Sequence, residues 1–148
     1  MTILNDLATY AVANMGASTR IHRRIMRMKN TSGGALAVGD IVTFKAAAGG
    51  DEVTTTTIQG DDLVYGMSLG TPANNEYGDF LVEGYTVSLK VNGVTDIAIG
   101  DFIGTFTTAK IGMKAAAGDM AIAIALEAYS TDDSLGVIDA LLITPRKI

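Results

Sequence analysis

The sequence predicts an all-β protein: a compact barrel-like or sandwich body with an N-terminal arm. Three observations carry that expectation. Apolar residues make up 48% of the 148 residues, yet they fall in short runs. Gly is abundant and Pro scarce, 17 against 2, and the glycines separate those runs at intervals that suit turns between strands. Six Gly-Asp dipeptides begin at Gly39, Gly50, Gly60, Gly78, Gly100 and Gly118. Gly accepts positive φ and Asp hydrogen-bonds nearby backbone, so each dipeptide reads as a turn.

Taken in order, the chain opens with a light leader. Leu4, Leu7 and Ala11 fall at helical spacing, which fits a short helix over Asn5–Met15 with Asn5 or Asp6 as its cap. Gly16 to Thr19 then break the pattern. Residues 20–29 are ambiguous. Ile21, Ile25 and Met28 share a helical face, whereas Ile21, Arg23, Ile25 and Arg27 share a strand face. Strand is the preferred reading, because a turn at Asn30–Gly34 follows.

Strands are expected at Asp40–Lys45, Glu52–Thr57, Leu63–Leu69, Phe80–Leu89, Phe102–Phe106, Met120–Leu126 and Val137–Ile143. The run Thr54–Thr57, between Val53 and Ile58, is β-branched and so favours strand over helix. With no Trp and only 6% aromatic residues, the core must be built from Ala, Val, Ile and Leu.

The chain resembles itself. Leu36-Ala37-Val38-Gly39-Asp40-Ile41-Val42 matches Ile97-Ala98-Ile99-Gly100-Asp101-Phe102-Ile103 in identity or class, at an offset of 61. Val64–Leu69 resembles Ala121–Leu126, at an offset of 57. Each is followed by a polar loop, a glycine (Gly78 or Gly136) and an apolar strand, Phe80–Val82 or Ile138–Leu142. The expected division is an arm and basic segment over 1–29 and a β body over 30–148, with repeats at 35–90 and 96–144. Two copies are too few for a solenoid, so they should pack on one another.

Charge is unevenly spread. Residues 1–29 hold five cations (Arg20, Arg23, Arg24, Arg27, Lys29) and one acid, Asp6, giving +4. Residues 30–148 hold six cations and fifteen acids, giving −9. No aromatic residue lies among the five cations to stack a base, so a protein surface is the expected partner rather than nucleic acid. No apolar run reaches the ~18 residues of a membrane span, and residues 1–15 lack the pattern of a signal peptide. A soluble protein made in the cytoplasm is expected.

Catalytic chemistry has little to stand on. Without Cys, disulfides and thiolate metal sites are excluded. The single His22 lies in the basic run and reads as solvated or partner-facing. Asp61-Asp62 and Asp132-Asp133 read as turn residues, because each pair sits beside Gly or Ser. Phosphate loops, serine elbows and calcium loops are missing from the sequence. No cofactor, no metal and no enzymatic activity are expected.

The stretch Met28–Val42, then Ile97–Ile103, Lys114–Asp119 and Ala123–Ala128, resembles the head decoration (cement) proteins of tailed bacteriophages. The likeness spans roughly residues 28–143 and rests on short motifs. It implies a structural virion protein on the outer surface of the capsid. Its partner there would be the major capsid protein, it would form a homotrimer, and it would stabilise the expanded shell. Tail-fibre or receptor-binding β modules are the alternative. In the decoration family a terminal arm commonly reaches neighbouring subunits. The leader makes Leu4, Leu7 and Tyr10 candidates for apolar capsid contacts, and Arg20, Arg23, Arg24 and Arg27 candidates for pairing with carboxylates.

Overall fold

Runs of aliphatic and β-branched residues between turns become nine strands in the computed structural model, which describes residues 23–46 and 49–148. They are β1 (Arg24–Asn30), β2 (Ile41–Phe44), β3 (Glu52–Thr54), β4 (Val64–Ser68), β5 (Tyr77–Val91), β6 (Phe102–Thr105), β7 (Gly112–Lys114), β8 (Met120–Ala125) and β9 (Gly136–Lys147). The described residues contain no helix, as the sequence led one to expect. The helix suggested for Asn5–Met15 lies outside them.

Several boundaries differ from expectation. β3 stops at Thr54, so Thr55, Thr56 and Thr57 leave the ladder. β5 starts three residues early, and Gly78-Asp79 lies inside it. Gly78 is therefore no turn: it lacks the positive φ of the other five Gly-Asp glycines. A side chain there would strike Pro72, whose Cγ lies 2.7 Å from an ideal Cβ position. β7 has no counterpart among the expected strands. Gly112-Met113-Lys114 is too short to show a period, and it is a strand because β6 pairs with it.

The strands close into two five-membered rings that share β5. Ring 1 runs β1-β3-β2-β4-β5 and closes through β5–β1; ring 2 runs β5-β7-β6-β8-β9 and closes through β5–β9. Each ring has one parallel pair, β1–β3 or β5–β7, and all its other pairs are antiparallel. Closure leaves neither ring with a free edge. β5 passes from one ring to the other at Gly84, whose φ is +122° and which packs against Arg23. A glycine suits the handover, since only it takes this backbone cheaply and lets another chain approach so closely. β1 is thus a strand of ring 1, so a division at residue 30 separates it from the ring it completes.

The two rings are copies in register as well as in order. β2 pairs with β4 as Ile41↔Met67 and Val42↔Gly66, then slips one residue to Thr43↔Val64. β6 pairs with β8 as Phe102↔Ile124 and Ile103↔Ala123, then slips to Gly104↔Ala121. The same bulge recurs at the two offsets visible in the sequence, which carry Ile41 to Phe102 and Met67 to Ile124.

Alternation places the core. Met28, Leu36, Val42, Val53, Tyr65, Phe80 and Val82 form the cluster that fills ring 1. Their neighbours Ile41, Val64, Met67 and Leu81 point the other way and join a second cluster with Leu89, Ile103, Ile122, Ile138 and Leu142 of ring 2. β2, β4 and Phe80–Val82 of β5 are therefore buried on both faces. That is why they read as unbroken apolar runs rather than as alternating ones.

Candidate interaction surface

Three of the Gly-Asp turns are built alike. At Ala37–Asp40 the aspartate N–H donates to the Ala37 carbonyl at 3.1 Å, while its carboxylate accepts the Ala37 N–H at 2.8 Å. Ala98–Asp101 repeats both bonds at 3.1 and 2.8 Å, and Ala116–Asp119 at 3.0 and 2.9 Å. Positive φ at Gly39, Gly100 and Gly118 completes each turn.

The first and third of these turns touch the other ring: Asp119 accepts the Gln59 amide at 3.3 Å, and the first turn is the one whose aspartate is buried. Asp40 is 1% exposed, and its carboxylate is held by Lys90 of β5 and, at 3.7 Å, by Lys110 of the β6–β7 connection. Ring 2 supplies further anchors. The Ile41 N–H donates to Lys110 O at 2.9 Å, the Asp61 N–H to Thr105 Oγ1 at 2.8 Å, and Thr105 Oγ1 donates to Ile58 O at 2.7 Å. Sequence reasoning missed Lys90 and Lys110, because isolated lysines far apart in the chain carry no local signature.

A cavity of about 240 Å³ opens along the same seam, lined in part by Arg23, Val38, Met67, Tyr85 and Thr86. Tyr85 turns its hydroxyl to Asp139 at 2.9 Å. Among the described residues, no three of His, Cys, Asp and Glu gather closely enough to hold a metal ion.

The candidate contact residues are divided. Leu4, Leu7, Tyr10 and Arg20 lie outside the described residues, as does His22. Arg23 is half-buried against Gly84, and Arg24 and Arg27 are exposed on β1. Both exposed arginines face acids of β5: Arg24 lies 3.7 Å from Glu83 and Arg27 lies 3.4 Å from Asp79. With side chains more than half exposed, such pairs contribute about 0–1 kcal/mol each and leave the guanidinium accessible to a partner.

One aspartate of each pair serves a turn, and Asp62 lies 3.4 Å from Lys147. Asp61 accepts the Leu63 N–H at 2.8 Å, and Asp132 accepts the Asn92 amide at 2.9 Å. Asp133 accepts the Leu135 N–H at 2.9 Å and the Tyr129 hydroxyl at 2.8 Å. The Tyr129 hydroxyl bond is the main reason the Asp133 carboxyl titrates below its ordinary range.

Exposed apolar residues occur on both rings, and on ring 2 they include an ordered row. Phe102, Ile124 and Leu141 stand side by side in register on its outer wall. Phe102 and Ile124 are half-buried and Leu141 is 37% exposed. The Arg146 guanidinium covers part of the row, 4.6 Å from the Phe102 ring centre. A patch of this kind commonly marks a contact site.

No family model matches the sequence, and no curated protein does. A solved structure is similar in fold: the N base of the head fiber protein gp8.5 of bacteriophage phi29. The match covers 82% of this chain and 94% of that one, at 8% identity and a TM-score of 0.51.

Proposed function

We propose that this chain is a structural protein of a phage virion, seated on the outside of the head. One observation carries the reading: the fold matches nearly the whole length of a phage head fiber's base. The composition supports it. An all-β body of closed rings, with Asp61 and Asp133 engaged in turns, suits a clamp better than a catalyst.

The finer role we favour is decoration. The body binds the major capsid protein where its copies meet, as a trimer at threefold positions, and locks the expanded shell. Many weak contacts on a lattice give strong net attachment. The arm and the arginines of β1 supply part of that contact. A fibre base is the second reading, favoured by the same neighbour.

The test adds purified full chain to expanded, undecorated heads and images them. Density at regular outer lattice sites is the expected result, with a later midpoint for thermal disruption of the heads. Heads left bare would sink the virion reading. Bound protein that leaves shell stability unchanged would favour the fibre base. A chain lacking residues 1–22 measures the arm's share: equal affinity at low and high salt would assign the interface to the rings alone.

A further inference from the structure

Because the rings are copies, each surface that joins them exists twice. Ring 1 meets ring 2 through a row on its wall, Ile41, Met67 and Leu81, adjacent by register and 2%, 1% and 0% exposed. Ring 2 meets this side of ring 1 along an edge that includes Gly112, which faces the row, and Thr105 and Met120, which face Gly60 beside it. A Cβ at Gly112 would lie 2.8 Å from Ile41 Cδ1, the Gly60 N–H donates to Thr105 O at 3.3 Å, and the Met120 N–H to Gly60 O at 3.3 Å.

Both surfaces have a counterpart that the described residues leave partly uncovered. The wall's counterpart is the row Phe102, Ile124 and Leu141, with Leu126 beside it at 41% exposed. At the two offsets that relate the rings, the counterparts of Thr105 and Met120 are Phe44 and Leu63, at 36% and 44% exposed. These two are neighbours, since the Phe44 N–H donates to Leu63 O at 2.9 Å. The turn beside the wall agrees. The Ser88 carbonyl crowds Gly39, whereas nothing lies within 4 Å of a Cβ at Gly100.

We propose that a second copy of this chain seats its Phe44–Leu63 edge on the Phe102–Ile124–Leu141 wall of the first, repeating between chains the contact that joins the rings within one. The intramolecular seam is the template, and this chain carries both halves of the next contact. Such an interface is heterologous, edge to wall, and generates a ring or an open chain of copies rather than a closed symmetric dimer. The Asp40–Lys110 pair is not repeated, because the register that makes Val53 of β3 the counterpart of Gly112 of β7 puts Asp51 in the place of Lys110. That register sets Asp51 of the second copy near Asp101 of the first, so the apolar residues carry the contact and salt, which screens the two acids, should not weaken it. It does not rest on the virion reading, and failure to bind heads leaves it standing.

Sedimentation of the full chain at rising concentration tests it. The wild-type protein should grow beyond one protomer in low and in high salt. Leu63→Asp, which spoils the edge, and Leu141→Asp, which spoils the wall, should each be monomeric. An equimolar mixture of the two should give a dimer that grows no further, because each variant retains one competent surface. Formation of that dimer also shows that both variants are folded. Leu135→Asp, at a site 84% exposed and away from both surfaces, should associate like wild type. A monomeric wild type, either single variant associating normally, or a mixture that stays monomeric would each overturn the proposal.

Discussion

Gly39 and Gly100 hold the same place in the same turn, at φ +88° and +92°, yet their surroundings are opposite. A Cβ on Gly39 would lie 1.9 Å from the Ser88 carbonyl oxygen, whereas one on Gly100 would meet nothing within 4 Å. Alanine at either site bears the left-handed backbone penalty of about 1–2 kcal/mol. At Gly39 it must also push apart the backbones at the seam, adding about 1–3 kcal/mol as overpacking does. Urea denaturation should show Gly39→Ala losing clearly more stability than Gly100→Ala. Equal losses would mean that the seam yields freely.

Their neighbours Asp40 and Asp101 make a second comparison. Asp40 is buried with two lysines, whereas the Asp101 carboxylate has Lys114 at 2.9 Å and remains partly exposed. Asp40→Ala takes the carboxylate from two partly exposed lysines and removes the acceptor for the Ala37 N–H; the expected cost is about 2 kcal/mol. Asp101→Ala also loses its turn bond, but water can replace most of it, so the expected cost is about 1 kcal/mol. Thermal unfolding of the two variants measures the difference. A smaller loss at Asp40 than at Asp101 would contradict the structural role assigned to the seam pair.

Stability should fall at both ends of the pH range. The Ala98 N–H, and then Lys114, hold the Asp101 carboxyl below its ordinary value of 3.8. Asp133 is held down by the Tyr129 hydroxyl first, then by the Leu135 N–H. A folded pKa below the unfolded one gives stability that is present above the unfolded value and lost as pH falls through the folded one. The tyrosines act at the other end. Asp51 raises Tyr77, Asp133 raises Tyr129 and burial raises Tyr65, all from 10.0. Their contribution is present below pH 10.0 and fades as pH climbs through the raised values. The urea midpoint should be flat near neutrality and drop below about pH 4 and above about pH 10. Asp101→Asn with Asp133→Asn should flatten the acid limb; an unchanged limb would assign it to other carboxylates.

Strand type and order were largely legible in the sequence because β2, β4, β6 and β8 are buried enough to read as apolar runs. The two offsets between the rings were legible too, since the turns before β2 and β6 use the same four-residue chemistry. The sharing of β5 was not. Nothing local in Tyr77–Val91 says that its two halves face different partners, and only Gly84 marks the handover. β7 was invisible because pairing, not pattern, makes it a strand. The cations of β1 suggested a contact surface, but the acids that face them, Glu83 and Asp79, lie far along the chain on β5. The seam lysines and the uncovered wall are likewise products of ring closure.

Arg24 and Arg27 separate stability from attachment. Both sit on β1 with more than half of the side chain exposed, opposite Glu83 and Asp79. Salt-screened pairs of this kind hold the fold by about 0–1 kcal/mol each, so Arg24→Ala with Arg27→Ala should leave the urea midpoint within about 1–2 kcal/mol of wild type. Their guanidiniums remain free to fork onto carboxylates of a partner, which lysine matches poorly. The double variant should therefore stay folded yet bind expanded heads several-fold more weakly at low salt, with the difference shrinking as salt rises. Arg24→Lys with Arg27→Lys should recover only part of the loss. Binding equal to wild type at low salt would return both arginines to their own acidic strand and leave the attachment to other surfaces of the rings.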